Sequence, residues 1–284
     1  MSNLFSGMEA FGLGKISKNI DIYEDKDSKA EKKQKKESER PQMKEEDVLF
    51  DKTMVCPVCD GEIKVKTVKT GKVKLLEMDT DLRPKYQLVD TLKYDAIVCP
   101  HCGYASLRRF FESVTKVQTR LIKENISANF KGIAEPAATY SYDDAINRHK
   151  LALLSSIVKK AKVSEKAYIC LKIAWLLRGK RESYLENETT SEEVVEKLLS
   201  EEQEFIQKSY DGFREAFTKE NFPICGMDEM TCTYLVADLA IRCKDYDEAG
   251  RYISSILVSR SANDRIKDKA RALKEIIHAE KGEE

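Results

Sequence analysis

Four of the eight cysteines fall in two Cys-x-x-Cys pairs, which carry the strongest chemical signal in the sequence. The pairs are Cys56-Pro-Val-Cys59 and Cys99-Pro-His-Cys102. This spacing lets each tight turn present two thiolates to one metal ion, with the sulfurs about 2.3 Å from it. Four thiolates in a tetrahedron suit Zn²⁺, and iron in a rubredoxin-like site is the alternative. The sequence therefore predicts one structural Zn²⁺ held by all four thiolates of the two pairs.

The predicted ligand set also bears on catalysis. Four thiolates leave no coordination position for water or substrate, so the ion would stabilise the fold and would not hydrolyse a substrate. The competing interpretation is a thiol redox protein, but redox pairs normally begin a helix, and strand-forming residues follow the first pair. The sequence contains no Gly-rich phosphate loop, His-Glu-x-x-His motif or nucleophile elbow. It therefore predicts no catalytic or cofactor-binding residues, and an enzyme is the less favoured class.

The other histidines and cysteines fit structural roles. His101 lies inside the second turn, where its side chain is expected to point away from the metal, and His149 has no nucleophile pattern nearby. Cys225 lies in a loop with Pro and Gly and is expected to be accessible. Three cysteines fall on apolar helical stripes and are predicted to be core residues: Cys170, Cys232 and Cys243.

Two turns must hold the cysteine pairs, so residues 48–103 are predicted to form a small β zinc ribbon. Apolar or β-branched side chains alternate with charged ones over residues 63–67, as in a half-buried strand. The Thr70-Gly71 turn signal and renewed alternation over 72–75 predict a hairpin directly after the first pair. Residues 94–98 are predicted to be the strand that leads into the second pair.

The ribbon has two further unusual features. The cysteine pairs are separated by residues 60–98, a long gap of 39 residues that is interpreted as a solvated loop, with a functional segment as the alternative. This gap contains a stripe of lysines: Lys64, Lys66, Lys69, Lys72 and Lys74. About five phosphate contacts give only weak, salt-sensitive binding, and no aromatic residue is interleaved to stack on bases. A solvated strand face is therefore favoured, and nucleic-acid binding is the alternative.

Residues 104–284 are predicted to form an all-α, tetratricopeptide-like domain, which makes the fold class α+β. Apolar residues recur at helical spacing from Ala105 onward and predict about seven helices in 105–280. The segment 168–177 is apolar on two sides, so its helix is expected to be buried from more than one direction. Capping boxes mark three helix starts: Ser141 with Asp144, Thr190 with Glu193, and Asp245 with Glu248.

One stretch, from Thr233 to Ser261, fits the spacing of a tetratricopeptide repeat, although strict identity holds only at Ala249. A second and looser unit begins at Tyr168. Because at least three repeats are normally needed for a stable stack, an irregular helical bundle is the alternative.

Composition sets the broad class. The 284 residues include 49 basic and 49 acidic side chains, so no global basic field indicates nucleic acid. No apolar run approaches the roughly 18 to 20 residues of a membrane helix, and the first residues lack the features of a secretory signal. We expect a cytoplasmic protein with reduced cysteines and no membrane contact. Residues 1–47 are predicted to be a disordered charged tail with a short apolar motif over 4–13, a possible docking peptide.

Several short runs outside the cysteine pairs complete the pattern: Leu49–Lys52, Asp79–Leu82, Tyr86, Tyr94-Asp95, Gly103–Ala105, Ala174–Leu176 and Asp245–Ala249. Over about 48–280 the sequence thereby resembles the domain of unknown function 2225 family of uncharacterised bacterial proteins. Asp60, in place of a turn Gly, departs from the pattern but leaves all four ligands intact. The resemblance implies a zinc ribbon joined to tetratricopeptide-like helices in a bacterial cytoplasm, and it implies no activity.

The sequence thus predicts a non-enzymatic, zinc-stabilised scaffold that binds a protein or peptide, because concave faces of stacked helices usually hold peptides. A zinc-ribbon regulator that binds nucleic acid through the lysine stripe is the second hypothesis. A thiol redox protein is the third.

Overall fold

The computed structural model describes residues 43–134, 138–186 and 191–282. Most of the predicted tail, including its apolar motif, lies outside these residues. The six strands of the described ranges are β1 Leu49–Val55, β2 Glu62–Val68, β3 Leu75–Met78, β4 Pro84–Tyr86, β5 Ala96–Val98 and β6 Ala105–Leu107. The seven α-helices are α1 Lys116–Ile122, α2 Tyr142–Val158, α3 Val163–Glu186, α4 Glu192–Lys219, α5 Glu229–Arg242, α6 Tyr246–Val258 and α7 Asp264–Gly282. The α+β class is confirmed, since small strand pairs come first and helices follow.

The strands form three two-stranded antiparallel sheets, β1–β2, β3–β4 and β5–β6. The prediction that β2 pairs with residues 72–75 is wrong. β2 pairs with β1 along its whole length, with Val55 opposite Glu62, so the first cysteine turn is itself the loop of the hairpin. Residues Thr70–Lys72 form a 3₁₀ turn. β1 is the better partner because all seven of its residues enter the ladder.

The second cysteine turn lies in a hairpin of the same kind. β5 and β6 pair with Val98 opposite Ala105. The predicted helix therefore does not begin at Ala105, because residues 105–107 form a strand that is fully buried. A run this short is compatible with either structure. The first α-helix begins at Lys116, after a capping box between Thr115 and Gln118.

The helices pack in sequence order: α2 on α3, α3 on α4, α4 on α5, α5 on α6 and α6 on α7. The predicted number of helices is confirmed for the described residues, as are the caps in which Ser141 and Asp245 accept backbone N–H groups. Thr190 lies outside the described residues, and α4 follows Ser191. The centre of α3 is buried on several sides, as expected.

Two apolar clusters meet at the β5–β6 hairpin. Ile97 and Tyr104 belong to the cluster that surrounds the cysteines. Val98, Ala105 and Leu107 belong to the larger core formed by the helices. Since one hairpin contributes to both clusters, the cysteine hairpins pack onto the helices. The domain boundary between residues 103 and 104 stays a prediction. None of the helices in the described ranges is long and apolar enough to cross a membrane.

Candidate metal centre

Two turns of the same design hold the four predicted ligands. In the first turn the Asp60 N–H donates to the Cys56 carbonyl at 2.9 Å, and in the second the Gly103 N–H donates to the Cys99 carbonyl at 3.0 Å. Asp60 and Gly103 have φ values of 59° and 74°, the left-handed region that these residue types tolerate best. A Cβ on Gly103 would also lie 2.6 Å from the Phe130 ring, so Gly is required there on two grounds.

The hairpins bring all four sulfur atoms within 4.8 Å of one another. The shortest separations cross between hairpins: Cys56 Sγ lies 3.7 Å from Cys102 Sγ, and Cys59 Sγ lies 3.6 Å from Cys99 Sγ. A regular tetrahedron with metal–sulfur bonds of about 2.3 Å has edges of about 3.8 Å. The donor type and the spacing therefore both fit a tetrahedral metal ion.

Crowding of the four thiols changes their acidities. Hydrogen bonds from Cys102 and Cys56 lower the pKa of the Cys99 thiol to about 2. The reciprocal interactions with Cys56 and Cys99 raise the pKa of Cys102 above its usual value. The four thiols therefore do not ionise independently of one another. A cation that takes all four sulfurs as thiolates must displace the thiol protons, which makes metal binding weaker in acid.

An apolar shell surrounds the sulfurs. Cys56 and Cys99 are completely buried, as are Tyr104 and Phe111. The Tyr104 ring stacks on Phe111 with 5.1 Å between ring centroids, and its hydroxyl donates to the Phe111 carbonyl at 3.0 Å. Cys59 is half-buried. Four protein ligands would leave a tetrahedral ion no position for water or substrate, an arrangement typical of a structural ion.

His101 connects the two turns and is not part of the sulfur cluster. Its Nε2 lies 3.1 Å from the Glu62 carbonyl at the start of β2, so the ring points away from the sulfurs as expected. Its Cδ2 lies 2.9 Å from the place that a Cβ on Gly61 would occupy. Sequence reasoning missed this contact. The sequence signal for this contact was Gly61, just after the first pair. Its partner His101 lies in the other hairpin, so local sequence could not identify it.

The segment between the cysteine pairs is not a solvated loop, so that interpretation is wrong. Asp81 is completely buried and Arg83 is 4% exposed. Asp81 Oδ2 lies 2.7 Å from Arg178 Nη2 on α3, and Arg83 donates to both carboxylate oxygens of Glu182 at 3.1 and 2.7 Å. Arg178 also contacts Glu202 on α4 at 2.7 Å. These ion pairs fasten the segment to two helices.

In this buried network the negative charges of the carboxylates are paired with the positive charges of arginines. Burial opposes ionisation of Asp81, but Arg178 and Arg242 outweigh it and hold the pKa of its carboxyl below the usual value. Each carboxylate of the network has a guanidinium nitrogen within 3.0 Å: Asp79, Asp81, Glu182, Glu202 and Asp238. Because every acid is already paired with arginine, the network stabilises the fold and offers no ligand set for a metal.

The remaining cysteines and His149 have no chemical role in this arrangement. Cys170 and Cys232 are buried as predicted, and Cys243 is half-buried. Cys225 was expected to be accessible, and this is wrong: it is 8% exposed, and its thiol donates to the Ser164 carbonyl at 3.3 Å. His149 is fully buried, and burial lowers its pKa to about 4, so it stays neutral near pH 7.

The lysine stripe is partly engaged in local contacts. Lys66 Nζ lies 3.5 Å from an Asp51 carboxylate oxygen on β1. Lys69 Nζ donates to the Asp47 carbonyl at 3.0 Å. Lys64 is exposed on β2. The cationic face is therefore smaller than the sequence predicted.

Comparison with known protein families gives a match over residues 49–277, to a family described as uncharacterized protein conserved in bacteria (DUF2225). The chain belongs to this family. The match includes both cysteine turns, the buried Asp81 segment and all but the last residues of α7, so the DUF2225 resemblance seen in the sequence is confirmed. Comparisons with curated proteins and with solved structures gave no significant match.

Proposed function

We propose that the four cysteines hold one structural Zn²⁺ and that the protein is a non-enzymatic scaffold that binds a protein or peptide. The observation that carries the metal assignment is the cluster of four sulfurs with tetrahedral spacing, in which Cys59 is half-buried and the other three cysteines are buried. The thiolate set supports zinc, with iron as the alternative. When bound, Zn²⁺ cross-links the β1–β2 and β5–β6 hairpins. In small zinc peptides such binding is worth on the order of 10–16 kcal/mol, all of it available to folding.

The scaffold role is supported by the helices. They pack in sequence order, which is the contact pattern of stacked helical pairs, and faces of such stacks usually hold peptides. Within the described ranges, the four-cysteine cluster is also the one group of three or more His, Cys, Asp or Glu side chains with metal-binding geometry. The proposed ligand set requires reduced cysteines, which supports a reducing compartment such as the bacterial cytoplasm.

The metal assignment is tested by elemental analysis of protein purified without added metal. We expect one zinc per chain, lost in Cys99→Ser and retained in Cys170→Ser, a matched control in which a buried cysteine of α3 is replaced. Iron in place of zinc would change the identity of the proposed ion and leave the proposal of a four-thiolate structural site in place. Metal-free wild-type protein whose cysteine pairs oxidise reversibly would refute the proposal and favour thiol chemistry.

The scaffold assignment is tested by affinity capture with the full chain, with and without nuclease treatment. We expect specific protein partners that nuclease does not remove and that survive replacement of three stripe lysines by Gln, at Lys64, Lys66 and Lys72. Exposed Lys116, Lys123 and Lys131 provide a charge-matched control set. Salt-sensitive nucleic-acid binding that is lost only in the stripe variant would favour the regulator instead.

A further inference from the structure

A cavity of about 420 Å³ lies between the end of β2, the 3₁₀ turn Thr91–Tyr94 and α3. None of the four clustered cysteines lines it. Its walls include the apolar and aromatic side chains of Val73, Tyr86 and Tyr94. A volume of this size is within the range of about 300–1,000 Å³ that is usual for small-molecule sites.

Three charged side chains line this cavity: Asp95, Arg108 and Lys172. Two of them neutralise each other, because Lys172 Nζ lies 2.8 Å from Asp95 Oδ2. The Lys172 side chain is 9% exposed and the Asp95 side chain 26% exposed, so the lysine is nearly covered and the carboxylate is partly open to solvent. Burial opposes the Lys172 charge, but the Asp95 carboxylate keeps the pKa of Lys172 above its usual value. The pair contributes no net charge, and the third group decides the sign of the cavity.

That third group, Arg108, is a fixed cation on which the Asp95 carboxylate acts only from beyond direct contact. Its Nη2 donates to the carbonyls of Lys66 at 3.0 Å and Tyr94 at 3.2 Å, which holds the guanidinium in place. Among the described residues no carboxylate lies within 4.0 Å of it, and its Nη1 and Nε make no hydrogen bond yet are not sealed from solvent. Burial lowers the pKa of Arg108, whereas the carboxylates around Arg83 raise the pKa of that arginine.

We propose that this cavity binds a small organic monoanion with an apolar body, whose carboxylate pairs with Arg108. The guanidinium offers two free N–H directions, and carboxylates match such a fork with two hydrogen bonds. The aromatic and aliphatic walls suit the apolar body. The three charged side chains leave one net positive charge, which a monoanion neutralises, whereas a phosphate dianion would leave a negative charge in excess and cost far more to desolvate.

The test uses two probes of nearly the same shape, 1-naphthaleneacetate and the neutral 2-(1-naphthyl)ethanol, titrated into the full-length, metal-loaded ¹⁵N-labelled protein. We expect the anion to shift amide signals of residues 67–68 and 91–95 and to bind roughly tenfold or more tightly than the alcohol, because only the anion can form charge-assisted hydrogen bonds with Arg108. Arg108→Gln should remove this preference. Arg120→Gln, which replaces a 70% exposed arginine on α1, should retain it.

Three outcomes would overturn the proposal: equal affinity for both probes, anion preference retained in folded Arg108→Gln, or wild-type shifts that fall outside the cavity. The wild-type titration is decisive by itself if Arg108→Gln does not fold. Because the cysteines are not part of the cavity, a negative result leaves the zinc assignment unaffected.

Discussion

Asp81 is a buried carboxylate that two arginines keep charged. It lies 2.7 Å from Arg178 and 3.6 Å from Arg242. We expect Asp81→Asn to lower the free energy of unfolding by at most about 3–5 kcal/mol, because Arg178 loses its completely buried partner but keeps Asp79 and Glu202. Urea denaturation at neutral pH measures this change. In the wild type the ion pair contributes above the ordinary carboxyl pKa of 3.8 and is lost as the pH falls below it, because folding lowers the Asp81 pKa.

Asp51 provides the matched control for this substitution. Its carboxylate is 56% exposed and lies 3.5 Å from Lys66. An exposed pair of this kind is worth roughly 0–1 kcal/mol, so Asp51→Asn should change the free energy of unfolding very little. Equal effects of the two substitutions would show that the Asp81 network does not fasten its segment to the helices.

Individual residues were predictable from sequence where their partners are close in the chain. The cysteine spacing identifies the clustered thiols because each turn is local, and Asp60 and Gly103 follow from the backbone that those turns require. Asp81 and Arg178 come into contact only through the tertiary fold, so no local sequence pattern predicts this ion pair. The exposure of Cys225 was mispredicted for the same reason. Its thiol donates a hydrogen bond to the Ser164 carbonyl, which lies in the first turn of α3 and is distant in the sequence.

The packing of α3 against α4 depends on a glycine at the crossing point. A Cβ on Gly212 would lie 2.8 Å from the Ala167 Cβ. Overpacking of this kind costs about 1–3 kcal/mol, which exceeds the gain in helix propensity of about 1 kcal/mol from Gly to Ala. We therefore expect Gly212→Ala to lower the thermal midpoint, measured by circular dichroism.

Gly250 on α6 provides a control in which substitution by Ala changes helix propensity without overpacking. Apart from its chain neighbours and the backbone of its own helix, no atom lies within 4 Å of the position that its Cβ would occupy. Gly250→Ala should therefore raise stability by roughly 0.5–1 kcal/mol. Changes of the same sign at both glycines would mean that α3 and α4 do not approach as closely as the structure has them.

Elements differ in how far the sequence specifies them. Helix starts at Tyr142 and Tyr246 were predictable because a capping residue and its partner are three positions apart. Strand pairing was not, because the alternation over 63–67 and 72–75 shows that strands are favoured but not which strand each one meets. The buried run Ala105–Leu107 has three residues, of which only Ser106 is polar, and it is too short for periodicity to distinguish a strand from a helix.

At the scale of the whole molecule, the β5–β6 hairpin joins the four-cysteine cluster, the proposed metal centre, to the helical core. Cys99 and Cys102 flank its turn, while Val98 and Leu107 pack among the helices. Loss of the ion should therefore destabilise both clusters together and not the ribbon alone.

Trp175 makes this coupling measurable, since it is the single tryptophan, lies on α3 in the helical core and is 3% exposed. We expect chelation of the metal to lower the Trp175 fluorescence midpoint in a urea titration by the same amount as the midpoint from far-ultraviolet circular dichroism. Zinc added back should restore both midpoints, which separates metal loss from damage by the chelator. A Trp175 transition that stays in place while part of the dichroism signal is lost would mean that ribbon and helices fold as independent domains. A common shift would instead mean that one hairpin transmits the binding energy of the ion through the described fold.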